Sequence, residues 1–183
     1  MTELVLLSRV EFRGRQINGA RLIGLLAMLA RDLRTGCGLV RLVDGLWRDK
    51  RPENPINAVQ VLVSRARSQL GPGVIVNTST GYRLALSETD VDVSVVVSSA
   101  SDAARHSRNG DHATALMHAK VGLAFWAEPP SIEPGEDALS VLRAERADTY
   151  QSLIRIHALS LSPEPLRRSA LGAVSFGRRP SAR

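Results

Sequence analysis

The chain predicts an α+β winged helix-turn-helix followed by an all-α, tetratricopeptide-like helical region, and three observations carry that reading. Short β-prone runs open the chain, three amphipathic helical patterns follow them, and a strand–turn–strand pattern closes the first half. Near residue 90 the texture changes to alanine-rich helical spacing.

Taken in order, Leu4 to Leu7 and Val10 to Phe12, with a turn at Arg13-Gly14-Arg15 and a further apolar position at Ile17, predict a small antiparallel sheet. Leu22, Leu25, Leu26, Leu29 and Leu33 then form one apolar stripe, the mark of a first helix. Leu39, Leu42, Val43, Leu46 and Trp47 repeat that spacing on a second helix. Gly36-Cys37-Gly38 reads as a tight connection between them, and the charged, proline-bearing stretch Asp49 to Pro55 breaks the chain after the second. A third helix over about Ile56 to Leu70 turns Val59, Leu62, Val63, Ala66 and Leu70 inward. Asn57, Gln60, Ser64 and Ser68 centre its outer face, flanked by Arg65 and Arg67 on opposite sides. Small hydrogen-bonding groups between two guanidinium groups suit a helix whose centre meets base edges while its flanks reach phosphates. Gly71-Pro72-Gly73 closes this helix, and Val74 to Val76 and Tyr82 to Leu86 alternate around the turn Asn77 to Gly81 as a hairpin.

Past the hairpin, Asp92 to Val97 reads as strand-like. Asp111 then caps a helix over His112 to Ala127, on which Ala115, Leu116, Ala119, Leu123 and Trp126 share a face, and Glu128-Pro129-Pro130 ends it. One further helix, about Ala138 to Ser160, carries Leu139, Leu142, Ala147, Tyr150, Leu153, Ile154 and Leu161 in a broad helical pattern. The paired helices resemble tetratricopeptide units, without a clean 34-residue self-repeat.

Composition narrows the function classes. With 44% apolar and 23% charged residues in 183, the chain lies within the globular range. The single Cys37 excludes an internal disulfide and a Cys-rich zinc site, and is read as inert packing. The longest strongly apolar stretch, Leu22 to Ala30, is well short of the roughly 20 residues that cross a bilayer. Leu4 to Leu7 is too short for the centre of a secretion signal, so no membrane and a cytoplasmic address are expected. The net charge of +6 points to an anionic partner. It is concentrated: residues 1–90 hold 13 Lys and Arg against 8 Asp and Glu, whereas residues 91–162 hold 6 against 9. Three Phe, two Tyr and two Trp are too few and too scattered to stack single-stranded bases, which makes duplex DNA the better anionic partner.

The residues Leu42-Val43-Asp44-Gly45-Leu46-Trp47, the run Asn57 to Gly71 and the hairpin Thr80-Gly81-Tyr82-Arg83-Leu84 resemble the SARP family of actinobacterial transcriptional activators. Asn109 to Leu116 and Gly122 to Trp126 look like that family's helical domain, and the resemblance covers roughly residues 3–161. It implies an OmpR-type winged-helix DNA-binding domain over 1–90, akin to the output domains of two-component systems. It also implies a partial bacterial transcriptional activator domain over 91–162, whereas residues 163–183, which look unlike any part of the family, read from their Arg, Pro, Ser and Gly content as a basic, poorly ordered tail. It further implies a third helix in the major groove, a hairpin wing on the minor groove, head-to-tail self-association on promoter direct repeats, and RNA polymerase holoenzyme facing the Asp49 to Pro55 loop. Where the superfamily has a wing arginine, three residues before Gly81, this chain has Thr78, so Thr80, Tyr82 and Arg83 become the candidate wing contacts. After Leu161 the family continues through more helix pairs, so apolar surface around Leu153, Ile154 and Leu161 is expected to be exposed.

Trp47 and Trp126 continue apolar stripes and are read as core anchors. The four histidines lack metal-ligand spacing, and neither Asp44 with Asp49 nor Glu145 with Asp148 has a nucleophile or histidine beside it. No catalytic residue, metal or cofactor is expected. The leading class is a sequence-specific DNA-binding regulator. The alternative is a truncated protein-interaction module or an interfering paralogue without activating function.

Overall fold

The computed structural model describes residues 2–48 and 50–162. The basic tail expected over 163–183 and Asp49 at the start of the interhelical loop lie outside the described residues.

Three two-residue strands open the fold: β1 (Leu4–Val5), β2 (Glu11–Phe12) and β3 (Arg15–Gln16), antiparallel in that order. Phe12 pairs with Arg15 across a two-residue turn in which Arg13 and Gly14 both have positive φ, 49° and 74°. Two successive left-handed residues give the turn the twist that matches its strands. Then come α1 (Ala20–Arg31), α2 (Leu39–Leu46) and α3 (Pro55–Leu70). Leu22, Leu25, Leu26, Leu29 and Leu33 are all buried, as the stripe predicts. α3 starts where its sequence tells it to. The Asn54 side chain accepts from the Asn57 amide at 3.1 Å, and Pro55 occupies a position whose missing N–H leaves no helical bond unmade.

A second sheet forms from β4 (Cys37–Gly38), β5 (Ile75–Asn77) and β6 (Gly81–Leu84), antiparallel in the order β4-β6-β5. The β5–β6 hairpin is the predicted wing. Gly36-Cys37-Gly38, read from sequence only as a connection, supplies its third strand. Two residues, one of them a glycine, carry no alternation by which to recognise a strand, and the pairing is long-range, Cys37 to Tyr82 and Gly38 to Gly81. A Cβ at Gly81 would overlap the Cys37 carbonyl oxygen and lie 2.9 Å from the Gly38 Cα. Gly81→Ala therefore forces β4 and β6 apart. We expect a loss of about 2 kcal/mol or more in chemical denaturation, in the range of other backbone and overpacking lesions; an unchanged midpoint would show that the strand pair yields freely.

The second half is helical: α4 (Asp92–Arg108), α5 (His112–Leu123), α6 (Ala138–Glu145) and α7 (Ala147–Leu161). Four expectations differ from the structure. The valine-rich stretch after residue 91 is helix rather than strand, because Val93, Val96, Ser99 and Ala103 all fall on one buried face. The single helix expected over Ala138 to Ser160 is two, interrupted at Arg146, whose amide bonds back to Arg143 O. The halves serve different neighbours: α6 lies against α1, and α7 against α5 and α4. Leu153 is fully buried rather than exposed, while Ile154 and Leu161 are 39% and 59% exposed. The cap of α5 is as read, with Asp111 accepting from the Thr114 amide at 3.1 Å, but the helix ends at Leu123 rather than Ala127, so Trp126 lies beyond it.

One apolar cluster runs through the first half and continues past residue 90 into Val91, Val93, Val96 and Leu142. Trp47 and Trp126 both pack against it, half-buried. A smaller cluster of Ala103, Ala115, Ala119, Leu153 and Ile156 joins α4, α5 and α7. A polar clamp binds the two halves. Asp92, itself buried, accepts from the amides of Leu6 and Leu7 at 2.7 Å each. Arg143 donates from Nε to Leu6 O at 2.9 Å and from Nη2 to Ser8 O at 3.0 Å. The chain after β1 is thus held on its N–H side by α4 and on its C=O side by α6.

Candidate nucleic-acid interface

The candidate interface is built from α3 and the β5–β6 wing. Val59, Val63, Ala66 and Leu70 of α3 are buried, which fixes the helix's rotation and turns Asn57, Gln60, Ser64, Arg65 and Ser68 into solvent. All five are exposed. Among the described residues the Gln60 and Arg65 side chains have no intramolecular polar partner, and Ser68 donates only to Ser64 O at 3.1 Å. Most other exposed arginines of the first half are occupied. Arg9, Arg13, Arg31, Arg34, Arg41 and Arg51 pair with Glu11, Glu3, Glu145, Glu88, Asp32 and Asp44. Those pairings give Asp44 and Glu145 arginine partners.

The reason Arg65 stays free is legible in composition. From Asn54 to Ser87, a stretch that holds all of α3 and the wing, the chain contains no Asp or Glu and three arginines, Arg65, Arg67 and Arg83. An acid-free stretch that carries a guanidinium group without an internal partner, Arg65, suits a polyanion, since no neighbouring carboxylate in the sequence competes for the cation.

Arg67 is placed differently from Arg65. It is half-buried, and its guanidinium reaches the wing: Nε donates to Ile75 O at 2.9 Å and Nη2 to Asn77 Oδ1 at 2.8 Å. Its carbon centre also lies 5.8 Å from the Tyr82 ring centroid, at the outer limit of a cation–π contact. Arg67 and Tyr82 therefore join α3 to β5 and β6. Arg83 is half-buried and donates from Nη1 to Leu84 O at 3.3 Å, and Thr80 is exposed at the turn. Thr78 shapes that turn. Its hydroxyl accepts from the Gly81 amide at 3.0 Å and its amide donates to Gly81 O at 2.9 Å. Thr80 O in turn accepts from the Leu39 amide at 3.0 Å, which seats the wing against the start of α2. Sequence reasoning missed Asn77, which anchors Arg67, and Val61, which is 43% exposed on the outward face of α3.

Elsewhere, His106 and His118 stack with centroids 5.5 Å apart, and His106 Nδ1 lies 3.0 Å from Asp111 Oδ2. Among the described residues no group of three or more His, Cys, Asp or Glu is placed to hold a metal ion. Burial pushes the Cys37 thiol above its ordinary value, which favours its neutral form. No described helix is long and apolar enough to cross a membrane.

No protein-family model matches the chain. The regulatory protein AfsR of Streptomyces coelicolor is 35% identical to it over 102 residues, 54% of this chain and 10% of AfsR. The transcriptional regulator RedD of the same organism is 30% identical over 131 residues, 67% of this chain and 37% of RedD. The chain is a homologue of SARP-type regulators. It spans about a tenth of AfsR and little over a third of RedD. A solved structure of Mycobacterium tuberculosis EmbR in complex with a low-affinity phosphopeptide matches it with a TM-score of 0.61 at 18% identity, over 93% of this chain and 42% of that one. That likeness shows the fold: a winged helix-turn-helix followed by a helical domain. The SARP-type homologues are transcriptional regulators.

Proposed function

We propose that this chain is a sequence-specific, duplex DNA-binding transcriptional regulator that lays α3 in the major groove and the β5–β6 wing on the adjoining minor groove. The observation that supports it most directly is the outward face of α3, where Asn57, Gln60, Ser64, Arg65 and Ser68 stand exposed on a stretch without a single carboxylate. Asn57 and Gln60 carry the amides that pair bidentately with adenine, and Arg65 the fork that suits guanine or a phosphate. Thr80, Tyr82 and Arg83 are the wing's contributions to the minor groove, with Arg67 joining wing to helix. Residues 1–90 form the DNA-binding unit and residues 91–162 its helical partner. In this reading the regulator acts as an activator in the cytoplasm, self-associates on promoter direct repeats, and presents the loop before Pro55 to RNA polymerase.

Electrophoretic shift of a promoter duplex against random duplex, repeated over a salt series, tests the reading. Affinity should fall linearly on a log–log plot, with a slope of about −0.9 for each phosphate neutralised. A flat salt response, or equal retention of any duplex, would refute sequence-specific binding.

A further inference from the structure

We infer that Val61 reads the 5-methyl group of a thymine in the major groove, an inference that rests on the DNA-binding reading of α3. The position makes the case. At about 100° per residue, Val61 sits roughly 40° from Asn57 and 60° from Ser64, within the outward arc and away from the inward seam. That seam is complete without it, because Val59, Val63, Ala66 and Leu70 are all buried. Val61 is 43% exposed among Asn57, Gln60, Ser64 and Arg65, all exposed. It therefore adds little to the packing of the fold, and as a β-branched residue it is among the poorer helix formers.

Its polar neighbours can match the donors and acceptors of base edges, but none of them offers what a methyl group needs. Thymine alone among the four bases presents a methyl group in the major groove, and an apolar side chain recognises it by taking it out of water. Val61 is suited to that role, since its single preferred rotamer in a helix holds both γ-methyl groups in place without a large ordering cost. It also lies in the N-terminal half of α3, the part of a recognition helix that contacts base edges. Asn57 and Gln60 beside it favour adenine, so the thymine falls within an A·T-containing part of the site.

The test uses the full chain. A duplex is selected from a random pool, and each thymine is then replaced singly by deoxyuridine, which keeps the pairing edge and lacks only the methyl group. Wild type should lose about threefold to fivefold in affinity at one thymine, the worth of one methyl group removed from water. Val61→Ser, an exposed change between residues of similar helix propensity, should bind the thymine and uracil duplexes equally at that position and respond as wild type elsewhere. Val61→Thr keeps one γ-methyl group and should retain part of the discrimination, and it carries the same comparison should serine weaken the helix. Uniform indifference to uracil in wild type, or an undiminished penalty in Val61→Ser, overturns the inference and leaves the DNA-binding reading intact. Failure to select any duplex overturns both.

Discussion

Arg65→Ala should weaken promoter binding by about 1–3 kcal/mol, the worth of one charge-assisted contact to a base edge or phosphate, and leave thermal stability unchanged. Arg65 is exposed and makes no internal polar contact among the described residues, so its removal deletes nothing from the folded chain. Arg67→Ala should behave otherwise. It removes the 2.9 Å and 2.8 Å bonds to Ile75 O and Asn77 Oδ1, and it should cost about 1–2 kcal/mol of stability along with affinity. The double variant loses several kcal/mol of binding in a fold whose wing is loosened. The Arg67 loss should also fall unevenly across sequence, since a misplaced wing misreads groove width rather than one base. Shift assays and thermal melts on the two single variants decide the matter. Equal effects of both on stability would show that the wing does not depend on Arg67, and unchanged binding in a folded Arg65→Ala would remove that residue from the interface.

The contrast between these two arginines also shows what could be read from the chain alone. The rotation of α3 was legible because four buried apolar residues at helical spacing fix it. That sufficed to put Asn57, Gln60, Ser64 and Arg65 outside, but helical geometry cannot say what approaches a flank from 8 or 10 residues further on, as Ile75 and Asn77 approach Arg67. β4 was hidden for the same reason, being a pair of residues whose partners are more than 40 positions away. The valines after residue 91 show local preference overridden: their β-propensity yields to a helical stripe that the core on one face can bury. The break at Arg146 answers to two separate packing partners, α1 for one side and α5 for the other, and no local residue such as proline or glycine announces it. Val61 was visible in the spacing but stood outside a search for polar groups.

Asp92→Ala should cost about 3–5 kcal/mol, because it leaves the Leu6 and Leu7 amides buried without an acceptor. Asp92 also makes stability depend on pH in an unusual direction. Burial pushes its carboxyl up to about 6, against the bonds from the Leu7, Leu6 and Val93 amides and the nearby Arg143 guanidinium, which favour the charged form. The folded chain therefore holds this proton at a pH where the unfolded chain has released it. Its contribution is full below about pH 4 and is lost as pH rises to about 6, a fall on the order of 3 kcal/mol. Glu88, Asp90, Asp102 and Asp111 work the other way. Hydrogen bonds from Arg34, Ser87, Arg105 and Thr114 hold them below the usual carboxylate value, so their contributions are lost only at lower pH. Denaturation curves from pH 4 to 7 separate the two, because Asp92→Asn removes the fall between 4 and 6 and keeps the rest. A wild-type curve parallel to that of Asp92→Asn would mean that the carboxylate stays charged in its clamp. The same clamp bears on the proposed DNA-binding half alone: a fragment ending at residue 90 lacks Asp92, Arg143 and the apolar cover of Val93, Val96 and Leu142. It should melt well below the full chain, and its affinity for DNA should match only at temperatures where it remains folded.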